Sequence, residues 1–340
     1  MPHASVSPNV LAVRFSSIGD ILLITPLLRA IRQRHRHAQL TVLTKQSYVP
    51  LLSHNPHVDR IIALEPGRSL LRVAQEIRAG SFSHRLDLHN SLRSRALRAL
   101  APGGWTTYPK YRIARMLLIR TKRNRYRDPR PVPERYFAAA RRLDVSPDGA
   151  APEFFLSPEA EQEARSWLVT SGLAADRPII TVAPGAAHAT KRWPLEHWRA
   201  LASQIVSGGS SVAIVGGPED ARLGVLLADA GHGQIANAAG AFGLQATGAL
   251  LRRSAAVVSG DTGVMHMATG VGTPVVALYG PTVQAFGFFP YTRRASVLEL
   301  DLACRPCSSK GGPRCPLGHH RCMLEIRPDR VYDSVRRSVA

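Results

Sequence analysis

Short apolar runs alternate along this chain with longer stretches in which apolar residues recur every three or four positions. NVLAVRF (9–15), QLTVLTK (39–45), DRIIALE (59–65) and HRLDLHN (84–90) are such runs in the first half; PIITVAP (178–184), SSVAIVGG (210–217), AAVVSG (255–260) and TPVVALYG (273–280) follow in the second. Runs of this kind predict buried parallel strands, and the periodic stretches between them, such as LLRAIRQRHR (27–36) and SLLRVAQEIRAG (69–80), predict crossover helices. Strands alternating with helices imply an α/β fold. The Pro-, Asp- and Gly-rich stretch LDVSPDGAAPEFFLSPEAE (143–161) marks a join. We therefore expect two Rossmann-like, doubly wound domains facing across a cleft. The first spans 1–160 and the second 161–326, with a final helix over 327–340 crossing back to the first. Ligands of such sheets bind beyond the carboxyl ends of the strands.

Length and composition narrow the class. A chain of 340 residues, 45% hydrophobic, can bury two ordinary cores. No apolar run approaches the roughly 18 residues of a membrane span, and MPHASVSPNV lacks the layout of a secretory signal. A cytoplasmic location is the expectation. Neither a G-x-G-x-x-G fingerprint nor a Walker A loop is present, which argues against a nicotinamide dehydrogenase or a P-loop ATPase. The net charge of +20 is unevenly spread, with +17 falling in residues 1–150. Such a field recruits an anionic partner. Its densest part, residues 108–130, carries nine Lys/Arg and one acid around the apolar IARMLLI. That combination suits a helix lying on anionic lipid, with Arg120, Lys122, Arg123 and Arg125 as acceptor or membrane contacts. A nucleic-acid-binding protein is the rival reading, although aromatic residues are not interleaved with the basic ones in a recognised binding pattern.

The candidate chemistry lies at strand-to-helix turns. In RFSSIGDILLITP (14–26), Asp20 stands between a glycine and an apolar run, either capping the helix or acting on substrate. In ITVAPGAAHATKRWPLEHW (180–198), Lys191 is placed to reach a phosphate or to lie solvated on the surface. In VAIVGGPEDARL (212–223), Glu219 is either a ribose ligand or a first-turn acid favoured by the helix dipole. In VVSGDTGVMHMATGVGTPVVALYGPT (257–282), Asp261, Thr262 and Gly263 open a helix carrying His266, and its free N–H groups form an anion site.

Together with NPHVDRII and DLHNSLRSR, these blocks resemble glycosyltransferase family 9, the heptosyltransferases that act on lipopolysaccharide, over nearly the whole chain. The resemblance implies a GT-B architecture and inverting transfer of a heptose or related sugar. The donor is a nucleotide-diphosphate sugar such as ADP-heptose, and the acceptor an anionic glycolipid at the inner membrane surface. It implies Asp20 as general base and Lys191 on the donor phosphate. Glu219 falls on the ribose, and Asp261, Thr262, Gly263 and His266 fall on the diphosphate and sugar. The backbone around Phe242 falls at the adenine. Thr190 is the only hydroxyl near Lys191, where relatives often carry more. No D-x-D motif is present, so catalysis is expected to need no metal. A non-catalytic sugar-nucleotide sensor is a further alternative that an intact Asp20 argues against.

All four cysteines lie in CRPCSSKGGPRCPLGHHRC (304–322), with His319 and His320 among them. Cys304, Cys307, Cys315 and Cys322 suggest structural zinc, with reduced thiols or disulfides as alternatives.

Overall fold

The computed structural model describes residues 7–173, 177–229 and 233–339, which divide into two compact units. Unit 1 takes the chain up to Lys110 and then Val132–Phe155; unit 2 takes Tyr111–Pro131 and Leu156–Ala340.

Unit 1 is a five-stranded parallel sheet of β1 (Asn9–Val13), β2 (Gln39–Lys45), β3 (Arg60–Leu64), β4 (His84–Asp87) and β5 (Trp105–Thr107), in the order β3-β2-β1-β4-β5. The strands predicted from the apolar runs all form. On one face of the sheet Leu11, Val13, Leu43 and Ile62 pack with Val73 and Ile77, from the helix Leu70–Ala79. Strand order reverses between β1 and β4, so the exits of these two strands define the crevice of this sheet.

Unit 2 holds β6 (Ile179–Ala183), β7 (Ser211–Ile214), β8 (Ile235–Asn237), β9 (Ala256–Gly260), β10 (Val275–Tyr279) and β11 (Ala295–Glu299), all parallel in the order β11-β10-β9-β6-β7-β8. Its reversal lies between β6 and β9. The core includes Trp198, 2% exposed, packed edge-on against Trp193 with ring centroids 4.9 Å apart. Truncating such a side chain to alanine costs about 3–5 kcal/mol.

The structure differs from the sequence expectation in two placements. The final helix, Pro328–Val339, stays in unit 2: Val331 and Val335 join the core with Trp198 and Leu201, and Trp193 Nε1 donates to the Ile326 carbonyl at 2.9 Å just before it. Its apolar face packs on β9, β10 and β11 of the second sheet. The basic segment also belongs to unit 2, although it was expected in the first domain. Its helix Arg112–Thr121 buries Leu118, and the Arg115 guanidinium stacks on Phe286 and Phe288 at 5.2 and 5.7 Å. Regrouped by fold, unit 1 carries 18 Lys/Arg against 9 Asp/Glu and unit 2 carries 26 against 15. The asymmetry seen along the sequence therefore disappears in three dimensions.

Candidate active site

In unit 1, β1 runs into a short turn and the helix Ile18–Leu22, which places Asp20 in the first helical turn at the crevice. Both of its carboxylate oxygens are held. Oδ2 accepts from the Ser17 backbone N–H at 3.3 Å and from the Ser17 hydroxyl at 3.1 Å, and Oδ1 pairs with the Arg14 guanidinium. Asp20 is thus a helix-capping residue, yet its side chain keeps 19% of its surface open. Burial alone would raise its pKa; the Arg14 charge and the Ser17 hydrogen bonds outweigh that and hold the carboxyl below the usual range.

The exit of β4 is equally fixed. Asp87, fully buried, accepts from the backbone N–H groups of His89 at 3.0 Å and Asn90 at 2.7 Å, and lies 3.5 Å from Arg98 Nε. His89 packs edge-on against Phe15, and burial with Arg14 and Lys110 nearby pushes its pKa down to about 4. It is neutral at physiological pH. Sequence reasoning passed over Arg14, whose position inside a strand-like run gave no sign that it would turn towards Asp20.

In unit 2, Lys191 and Asp261 come from the exits of β6 and β9, the two strands that flank the reversal. Lys191 Nζ lies 2.6 Å from Asp261 Oδ2 and donates to the Asp261 carbonyl at 3.0 Å; the two side chains are 12% and 11% exposed. The Thr282 hydroxyl donates to the same Oδ2 at 2.8 Å. Thr262 stands at the N-cap position of the helix Gly263–Gly270, its hydroxyl turned to that of Ser259 at 3.0 Å rather than to a helix N–H, and His266 is buried within that helix. The first N–H groups of that helix have no intrahelical acceptor and favour an anion. Phe242 follows β8 and packs edge-on against Trp167, centroids 5.7 Å apart.

Two expected donor contacts look different in place. Thr190 is buried, and its hydroxyl donates to the Gly312 carbonyl and accepts from the Gly312 N–H at 2.8 Å, so it secures the loop from beneath. Glu219 is exposed, and it is Asp220 that turns inward. Asp220 accepts from the Gly217 N–H at 3.1 Å, and a Cβ at Gly185 would fall 2.1 Å from its Oδ1, so glycine at 185 is what admits it. Burial pushes the Asp220 carboxyl up, and the Gly217 hydrogen bond opposes this only in part.

The cysteine segment forms the wall behind this loop. His320 Nε2 lies 3.0 Å from the Thr190 carbonyl, and Gly311, at φ +98°, lies against His188, where a Cβ would come within 2.8 Å of the His188 Cβ. All four cysteines are free thiols. Among the described residues no three His, Cys, Asp or Glu side chains stand where they would hold a metal ion, so the expected zinc ligands do not fit one as placed. Burial and its neighbours Cys307, Cys315 and Cys304 push the Cys322 thiol up to about 11.

Of the expected lipid contacts, Arg120, Arg123 and Arg125 are exposed, beside Ile113 at 71% and Met116 at 44% exposure. Lys122 is exposed as well, yet it is held in place. Its ammonium donates to the carbonyls of Ile119 and Pro306, both at 2.7 Å, and fastens the segment to unit 2.

A family model described as Glycosyltransferase family 9 (heptosyltransferase) matches residues 70–316. This chain belongs to glycosyltransferase family 9. That membership favours the sugar-transfer reading over nucleic-acid binding. Among family 9 relatives, lipooligosaccharide heptosyltransferase 2 of Haemophilus influenzae is 26% identical, over 98% of this chain and 99% of that protein. Lipopolysaccharide heptosyltransferase 2 of Salmonella typhimurium is 28% identical, over 96% and 97%. Two solved structures share the pair of Rossmann-like folds. A family 9 glycosyltransferase from Veillonella parvula superposes with a TM-score of 0.82 at 23% identity, covering 98% of this chain and 97% of that one. The ADP-heptose lipopolysaccharide heptosyltransferase II of Escherichia coli gives 0.76 at 25% identity, covering 97% and 98%.

Proposed function

We propose that this family 9 glycosyltransferase is a heptosyltransferase of lipopolysaccharide core assembly, moving heptose from ADP-heptose to an anionic glycolipid with inversion at the anomeric carbon. The observation that carries the reading is the Lys191–Asp261 pair at the reversal point of the second sheet, beside the start of the helix Gly263–Gly270. A cation and a helix start at the point where such sheets bind ligands suit a diphosphate. Entering there, the diphosphate competes with Asp261 for the Lys191 ammonium.

Asp20 is the base. The acceptor hydroxyl gives its proton to the carboxylate as its oxygen bonds to the anomeric carbon, and the bond from that carbon to the diphosphate breaks. The electron pair leaves with the diphosphate, whose growing charge Lys191 and the helix N–H groups stabilise. A single displacement of this kind needs one base, and these groups supply the charge stabilisation without a metal. The family relation and the heptosyltransferase names of the full-length relatives support the sugar and the acceptor class.

The acceptor is met at the inner membrane surface. No helix among the described residues is long and apolar enough to cross a membrane. The exposed Ile113 and Met116, with the exposed Arg120, Arg123 and Arg125 in the same segment, give the chain apolar side chains and cations with which to lie on anionic lipid. The test is to incubate the protein with a panel of nucleotide sugars and a truncated lipopolysaccharide. ADP released only with ADP-heptose and acceptor together supports the reading; release from another sugar nucleotide, or none with any, overturns it.

A further inference from the structure

Arg14 is 5% exposed and engaged on every side. Its Nε donates to the Ser16 carbonyl at 2.9 Å. Its Nη1 donates to the Leu88 carbonyl at 2.5 Å and approaches the Tyr108 hydroxyl at 3.3 Å, and its Nη2 pairs with Asp20. The guanidinium also lies 5.8 Å from the centre of the Tyr136 ring. One planar, permanently charged group therefore ties together the exits of β1, β4 and β5. A guanidinium with its other N–H groups committed to fixed carbonyls cannot swing, so the N–H it offers Asp20 has a set direction.

We propose that Arg14 is the positioning residue of the transfer reaction, holding the Asp20 carboxylate ionised and aimed while leaving an open edge of it for the acceptor hydroxyl. The proposal rests on Asp20 being the base. Two consequences follow for the chemistry. Asp20 is charged throughout the physiological range, so every enzyme molecule carries a competent base. A carboxylate so stabilised is also a weak base, so it takes the proton only as the acceptor oxygen becomes acidic by bonding to carbon. The proton then replaces the ion pair on Asp20, and Arg14 keeps its charge within its carbonyl and tyrosine partners.

The surroundings allow the effect to be read from a pH profile. Arg14 and Ser17 from the β1 exit act directly on Asp20, and His89 from the β4 exit and Tyr136 lie within its field; Tyr108 bears on Arg14 and Tyr136, and Lys110 and Lys45 bear on His89. Burial raises the Tyr136 hydroxyl well above its usual value, and His89 stays neutral down to about pH 4. His89→Gln run in parallel removes its contribution.

The experiment measures kcat/KM for acceptor against pH in Arg14→Met and Arg14→Lys, with ADP titration of each variant as the check on folding. In Arg14→Met, burial acts on Asp20 opposed only by the Ser17 hydrogen bonds. The acid limb is expected to move to higher pH, the ratio of activity at pH 8 to that at pH 5 to rise about tenfold, and kcat to fall about 10–100-fold with ADP affinity unchanged. Arg14→Lys keeps a charge but loses the fork, so kcat falls while the acid limb stays in place. An unmoved limb with wild-type kcat in an ADP-binding Arg14→Met protein overturns the proposal. If that variant fails to fold, wild-type kcat in Arg14→Lys overturns it instead. Asp20→Asn separates the two levels: full activity there removes the base itself, whereas loss there with unaffected Arg14 variants removes only the role of Arg14.

Discussion

Replacing Lys191 by methionine separates two roles that this lysine combines. In the free protein it neutralises Asp261 across 2.6 Å, with both side chains almost nine-tenths buried. Removing the cation strands a carboxylate whose remaining side-chain partner is the Thr282 hydroxyl at 2.8 Å. Breaking a buried pair from one side costs about 3–5 kcal/mol, most of it the penalty on the charge left behind. Lys191→Met should therefore melt at clearly lower temperature, and it should bind ADP more weakly for two reasons: a lost charge-assisted hydrogen bond and repulsion from an uncovered Asp261. Lys191→Met/Asp261→Asn removes the stranded charge, so stability should return to within about 1 kcal/mol of wild type. ADP binding should not return with it, since a hydrogen bond to a charged group is worth about 1.5–3 kcal/mol, or about 10–150-fold in Kd. Asp261→Asn alone leaves the ammonium uncommitted and should bind ADP at least as well as wild type. The assay is isothermal titration with ADP beside thermal melting of all four proteins. If the double variant recovers both stability and wild-type ADP affinity, the pair is structural only and Lys191 is no phosphate ligand.

Asp20→Asn should lower turnover about 10²–10⁴-fold with ADP affinity intact, because the amide keeps a capping oxygen but takes no proton; near-normal turnover returns Asp20 to a purely capping role. His89, depressed to about 4 from an unfolded value near 6.5, should destabilise the fold as pH falls between these values, because the unfolded chain takes up the proton first. Partial exposure discounts the effect to about 1–2 kcal/mol, and His89→Gln should flatten that part of a denaturation–pH curve. Arg120→Glu/Arg123→Glu/Arg125→Glu should abolish sedimentation with anionic vesicles, at about 1 kcal/mol per cation removed near the surface, while ADP affinity holds; retained sedimentation refutes the lipid contact. With its thiol raised to about 11, Cys322 should be alkylated about 100-fold more slowly at pH 8 than an unperturbed thiol, as mass spectrometry of timed samples would show. Short exposure to a chelator should leave transfer rates unchanged, and prompt loss would require a catalytic metal.

Of the strands that flank the crevices, β1, β6 and β9 were legible because each carries a dense apolar run. Three others were not. β5 and β8 are three residues long, and β11, ASVLE, is an edge strand with a single fully buried residue. The turns carrying Asp20, Lys191 and Asp261 could be read because a lone charged residue beside glycine and an apolar run is conspicuous. Partnership could not. Choosing Asp220 over Glu219 depends on which side chain the Gly185 gap admits, and the Thr190–Gly312 bond joins residues 122 positions apart. The final helix and the basic segment were misplaced for a related reason: an amphipathic pattern shows that a face will be covered, not which unit will cover it.

The excursion of residues 111–131 into unit 2 sets a timetable for synthesis. Lys122 docks on Pro306, 184 residues later, so at about 5–20 residues per second the helix Arg112–Thr121 waits about 10–40 s for its seat. Throughout that interval Leu118 and the Arg115 side chain lack Phe286 and Phe288, and the nascent chain displays an apolar, cationic helix beside a first unit that closes once residue 155 is made. The helix then shows a second uncovered face, Leu118 and Arg115, besides the Ile113 and Met116 proposed to meet lipid. A ribosome translating near the membrane would offer that helix a bilayer before it offers it unit 2, and the order of these encounters bears on how this chain is best expressed, since a fragment ending at 155 would carry the helix with no seat at all.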